Sequence, residues 1–162
     1  MKTLVVYFSL EGNTDYVAGK IAERTGAELL RLRTEKAYKD KGFTKFLWGG
    51  KSAIMAESPA LKPYNVELTS YDRIIFGFPV WAGTFAPPLR TFVKENKEAL
   101  AGKNIVSYAC QSGKGAETAL KKLEELTGES FRVTAVFIEP KRKTSPETDS
   151  EIEDFCREIN SV

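Results

Sequence analysis

Three short stretches of this chain combine small, polar and aromatic residues in ways that suit chemistry. The first is "SLEGNT" (9–14), which sets Ser9, Gly12, Asn13 and Thr14 between an apolar run and a helical pattern. Gly12 permits a tight turn and the close approach of a ligand. Ser9, Asn13 and Thr14 offer side-chain donors, and the helix that follows adds free N–H groups and the positive end of its dipole. Together they make a socket for a phosphate. No GK[ST] follows, so this is not the nucleotide loop of P-loop NTPases. No lysine is expected to point in, so neutral dipoles would hold the anion. The same residues could instead do no more than cap the helix. The second stretch, "FPVWAGTFAPP" (78–88), has no charge and one tryptophan, Trp81. The third, "ACQSGKG" (109–115), is small and polar with two glycines. An aromatic plane beside a glycine-rich backbone suits a flat heteroaromatic ring, although Trp81 could also be an ordinary core aromatic.

These stretches need elements to position them. Four apolar runs, "TLVVYF" (3–8), "RIIFGF" (73–78), "NIVSYAC" (104–110) and "RVTAVFI" (132–138), are continuous rather than alternating. That pattern predicts strands buried on both faces, as in a parallel sheet. "AELLRL" (27–32) carries charge and fits an edge strand. Helical patterns lie between the runs. Val17, Ala18, Ile21 and Ala22 share a face ended by Gly26, and Pro87 and Pro88 open a segment carrying Leu89, Phe92 and Val93. Ala119, Leu120, Leu123 and Leu126 form a stripe ended by Gly128. Ser145-Pro146-Glu147 reads as N-cap, first-position proline and acidic first turn, with Ile152, Phe155, Cys156 and Ile159 behind it. The alternation predicts an α/β fold with a doubly wound sheet and helices on both faces. Ligands in such folds sit outside the carboxyl ends of the strands. All three stretches are strand exits at that end.

The 162 residues suit a single domain, 1–162, with an irregular insertion at about 33–65 between the second and third strands. In that insertion Phe43, Phe46, Leu47 and Trp48 approximate one apolar helical turn, which would pack it onto the domain or wall the site. Formal charge is +2, too small to imply nucleic acid binding. No run approaches a membrane span, and the chain enters a strand at once without a signal-peptide pattern, so the expected location is cytoplasmic. Cys110 and Cys156 are far apart and form no CxxC, which points to free thiols rather than a disulfide or metal site. Histidine is absent, which removes the commonest general acid–base and the commonest metal ligand. Chemistry here would have to run on something else, such as a bound cofactor.

"YFSLEGNT", "GFPVWAGTFAPPLRTFV" and "ACQSGKG" together resemble the three cofactor loops of the flavodoxin family, in the right order after strands one, three and four. The resemblance covers nearly the whole chain. It implies a flavodoxin-like five-stranded parallel sheet of order 2-1-3-4-5 that binds FMN. Carried over, Ser9, Gly12, Asn13 and Thr14 would hold the ribityl phosphate, with Leu10 and Glu11 in the same loop. Pro79, Val80, Trp81, Ala82 and Gly83 would flank the isoalloxazine. Cys110, Gln111, Ser112, Gly113 and Gly115 would supply contacts from the far side. No catalytic residue and no metal ligand is implied.

Glu11 departs from the family's usual threonine. A carboxylate ~6 Å from the phosphate would cost about 3 kcal/mol at an effective dielectric of 20. The helix terminus returns at most ~2 kcal/mol. Glu11 is therefore expected to offer only its backbone N–H and to turn its carboxylate to solvent. The function implied is that of an FMN redox protein passing electrons to partner proteins or a small-molecule acceptor, as a monomer or weak dimer. An NAD(P)H-dependent quinone or nitro reductase on the same fold is the alternative. A phospho-acceptor receiver domain would need acids where the chain has Phe8-Ser9 and Phe78-Pro79. Electron-shuttle flavodoxins tend to be strongly acidic, whereas this chain is slightly basic. "KRK" (141–143) after the fifth strand is either a solvated loop or a site for an NADPH phosphate or an acidic partner.

Overall fold

A computed structural model of the chain describes residues 1–38 and 56–162. The elements run β1 (Thr3–Tyr7), α1 (Asn13–Thr25), β2 (Glu28–Arg31), β3 (Arg73–Trp81), β4 (Thr84–Phe85), α2 (Pro87–Leu100), β5 (Asn104–Gln111), α3 (Ala116–Thr127), β6 (Phe131–Ile138) and α4 (Pro146–Asn160). A single 3₁₀ turn, Leu68–Ser70, precedes β3. Phe43, Phe46, Leu47 and Trp48 lie outside the described residues.

The five parallel strands take the order β2-β1-β3-β5-β6, which is the expected succession of the first to fifth long strands. The five-strand count needs correcting. The sheet has six strands, because β4 pairs antiparallel with the end of β3, through Val80↔Phe85 and Trp81↔Thr84. The reason is local. β3 does not stop at Phe78 but continues through Pro79 to Trp81, with Pro79 in register with Cys110. Ala82 (φ 48°) and Gly83 (φ 69°) are both left-handed and reverse the chain in two residues. A turn with positive φ at both central positions matches the twist of an antiparallel pair. The second exit is thus a small hairpin rather than an irregular loop.

Strand alternation divides the core between the two faces. Leu4, Val6, Ile74, Phe76 and Phe78 face α2 and α3, where they meet Leu89, Phe92, Val93, Leu120 and Leu123. Val5, Tyr7, Ile75, Val106, Tyr108 and Phe137 face α1 and α4, where they meet Val17, Ala18, Ile21, Ile152, Phe155 and Ile159. Glycine ends α1 and α3 as expected: Gly26 N–H donates to Ala22 O and Gly128 N–H to Glu124 O, both in the left-handed conformation. Ser145 caps α4 by accepting from Thr148 N–H, with Pro146 at the first helical position. Cys110 and Cys156 are free and buried. Among the described residues no helix is long and apolar enough to cross a membrane.

Candidate functional site

A cavity of about 1130 Å³ opens at the carboxyl ends of β1, β3 and β5. Of the residues that the sequence marks, Ser9, Leu10, Glu11, Asn13, Thr14, Pro79, Val80, Trp81, Ala82, Gly83, Cys110, Gln111, Ser112, Gly113 and Gly115 all line it. Gly12 does not. It is the N-cap of α1, at φ 99°, and its left-handed turn aims the loop. Three further residues line the cavity: Lys114, Thr118 and Glu139. Among the described residues no group of His, Cys, Asp and Glu is placed to hold a metal ion.

The first corner, residues 9–14, is a nest of backbone donors. Tyr16 N–H closes the first turn of α1 on Gly12 O, and Asp15 N–H donates to Ser9 Oγ at 3.2 Å. Among the described residues, the N–H groups of residues 10–14 find no protein acceptor. Thr14 Oγ1 is buried and makes no hydrogen bond. The Cys110 thiol lies beside it, but sulfur is a weak partner. Burial pushes that thiol up to about 12, and the Thr14 hydroxyl pulls the other way. Buried polar groups are normally satisfied, and here the nearest partner of the Thr14 hydroxyl is that thiol. Glu11 is exposed and also lines the cavity.

The corner is fixed from beneath by a polar network. Tyr108, fully buried, donates to Thr14 O at 2.9 Å. Its ring occupies the space where a side chain on Gly77 would lie, since a Cβ there would come within 2.3 Å of it. Tyr7 donates to Asp15 Oδ1 at 2.6 Å, and burial followed by that hydrogen bond raises the phenol's pKa strongly. Arg31, at the end of β2, pairs with Asp15 at 3.3 Å and donates to Ser9 O at 3.2 Å. Arg31 thereby balances the carboxylate in the first turn of α1.

The opposite corner is built from the 79–86 hairpin and residues 110–115. Gly115 and Gly83 touch: a Cβ on Gly115 would stand 2.9 Å from Gly83 Cα. Gln111 Oε1 caps α3 by accepting from Ala116 N–H at 3.0 Å, and Lys122 Nζ donates to Gly83 O at 3.3 Å. Trp81 has features of both a cavity wall and a core residue. It lines the cavity, yet it is only 8% exposed and sits edge-on to Phe8 and Tyr38, each at 5.5 Å between centroids. The indole is a wall of the site with its back in the core rather than an open rim.

Glu139 brings an acid to a cavity that the three sequence stretches predict to be free of one on this side. It ends β6 at φ 44°, and its N–H donates to Gln111 O. Its carboxylate pairs with Arg142 at 3.0 Å and Lys143 at 2.9 Å, and Lys143 foremost holds it below the usual carboxylate range. The signal that could have found it is positional. It follows the fifth strand as the other three stretches follow the first, third and fourth.

A family model described as Flavodoxin matches residues 2–151. A flavoprotein from Lactobacillus acidophilus, solved in complex with FMN, is 23% identical and superposes with a TM-score of 0.74 over 95% of this chain and 97% of its own. A Bacteroides uniformis protein is 25% identical, with a TM-score of 0.76 over 94% of this chain and 97% of its own. The two-electron-reduced flavodoxin of Megasphaera elsdenii is 20% identical, with a TM-score of 0.59 over 96% of this chain and 98% of its own. With a family match that spans all three strand exits, this chain belongs to the flavodoxin family.

Proposed function

We propose that the chain binds FMN in this cavity and serves as an electron-transfer flavoprotein. The observation that carries the reading is the first corner: unpartnered N–H groups at 10–14 lie at a helix N-terminus in the lining of the cavity. Such a terminus favours a phosphate. The family match and the FMN complex of the Lactobacillus relative support the same reading.

In this reading Ser9, Thr14 and the N–H groups of 10–14 hold the ribityl phosphate. Asn13 turns its Oδ1 to the N–H of Lys141 at 3.0 Å, which leaves its amide nitrogen free to donate. Trp81, Ala82 and Gly83 border the ring on one side, and Cys110 to Gly115 border it on the other. Gln111 keeps the second border in place through its cap on α3. Bound FMN would supply one- and two-electron redox chemistry. The residues around it orient it and exclude water, and the neutral Cys110 thiol holds its own proton rather than offering a thiolate.

The test starts from protein loaded with FMN and reduced chemically without air. Mixing with oxidised cytochrome c should produce rapid reduction of the cytochrome, and NAD(P)H plus a quinone should give no steady turnover. Steady NAD(P)H oxidation would assign the chain to the reductase class instead.

A further inference from the structure

The "KRK" segment after β6 contains three cations in different situations. Arg142 and Lys143 are both tied to Glu139. Lys141 makes no ion pair with any described residue. Its backbone N–H donates to Asn13 Oδ1, which anchors the segment to the phosphate-side corner. Its side chain then lies across Gly12. A Cβ on Gly12 would stand 2.8 Å from Lys141 Nζ and 3.2 Å from its Cδ. Gly12 is thus required twice, once for its φ of 99° and once to let this lysine pass.

We infer that Lys141 is a determinant of specificity for the phosphate group: its ammonium lies against Gly12 in the 9–14 loop, just outside the lining, and so makes the protein discriminate FMN from riboflavin by charge as well as by neutral dipoles. This rests on the FMN reading above. Lys141 is not in the lining of the cavity but lies against the outside of this loop, brought there from the far end of the chain, 128 residues beyond Asn13. Separation in sequence hid it; the ladder from β5 to β6 delivers it. Glu139 pairs with its two neighbours, Arg142 and Lys143, and not with Lys141.

The test is a fluorescence titration with FMN and with riboflavin, for wild type, Lys141→Met, Lys141→Arg and Lys97→Met. Lys97 lies in the last turn of α2, at the opposite end of the sheet from the cavity, and controls for net charge. Each titration is run at about 20 mM and about 500 mM salt, because screening separates charge from packing. Lys141→Met should weaken FMN by roughly 5- to 30-fold at low salt, with riboflavin unchanged. The loss should shrink at high salt, Lys141→Arg should restore most of the affinity, and Lys97→Met should match wild type. Equal weakening of FMN and riboflavin would make Lys141 a packing residue and overturn the inference, as would no change in either. In both cases the wild type's own preference for FMN would leave the cofactor reading standing. A wild type that binds FMN no better than riboflavin removes the cofactor reading and the inference together.

Discussion

The two corners of the cavity are held in opposite ways. The 9–14 corner rests on hydrogen bonds, one buried and the rest half-buried: Tyr108 to Thr14 O, Arg31 to Ser9 O, and Tyr7 and Arg31 to Asp15. The 79–86 corner rests on ring packing around Trp81, on glycine backbones in contact, and on a two-residue turn with Ala82 in a left-handed conformation. A hydrogen-bonded frame fixes donors to within a bond length, which is what gripping a phosphate needs. On the FMN reading proposed above, affinity is assigned to the first corner and redox tuning to the second, whose lining would meet the ring.

That division can be broken most forcefully at the support of the first corner. Gly77→Ala should drive a methyl into the Tyr108 ring and cost about 3 kcal/mol of stability, read as a lowered urea midpoint. Tyr108→Phe should cost about 1 kcal/mol by removing a buried hydrogen bond to the first turn of α1, and should weaken FMN more than riboflavin. An unchanged ratio of the two affinities would show that this frame does not serve the phosphate.

Alkali gives a third probe. The Cys110 thiol is raised from 9.0 to about 12 by burial, so the folded chain keeps that proton while the unfolded chain loses it. Stability from this group is full below pH 9 and falls as pH rises from 9 toward 12. Urea midpoints at about pH 8 and about pH 10 should show the decline, and Cys110→Ala should lessen it. The second corner predicts a potential. Its lining from Pro79 to Gly83 carries no charge and Glu139 is neutralised, so the anionic reduced form of the flavin is disfavoured. The two-electron midpoint of the bound flavin should lie below that of free FMN by potentiometric titration. The smallest effect is expected at Glu11→Thr, which should change FMN affinity less than about threefold, since the residue is exposed. A gain of about a hundredfold would mean that the carboxylate faces the phosphate.

The sheet was legible because strands buried on both faces write themselves as unbroken apolar runs, as Arg73–Phe78 does. The 9–14 corner was legible because glycine, small hydroxyls and a helix start are all local signals. The hairpin was not. Proline commonly ends a strand reading, yet Pro79 sits where β3 passes beyond its neighbour β1, and Ala82 is an unusual residue for a left-handed position. The Gly77–Tyr108 fit, Glu139 and Lys141 escaped for another reason. Each is a contact between residues distant in sequence, which no local pattern encodes.

The central claim is that the first corner grips a phosphate. Parallel titration of the purified wild-type chain with FMN and riboflavin tests it most directly. The account predicts that FMN binds at least ~100-fold more tightly. Affinities equal within about threefold would contradict it.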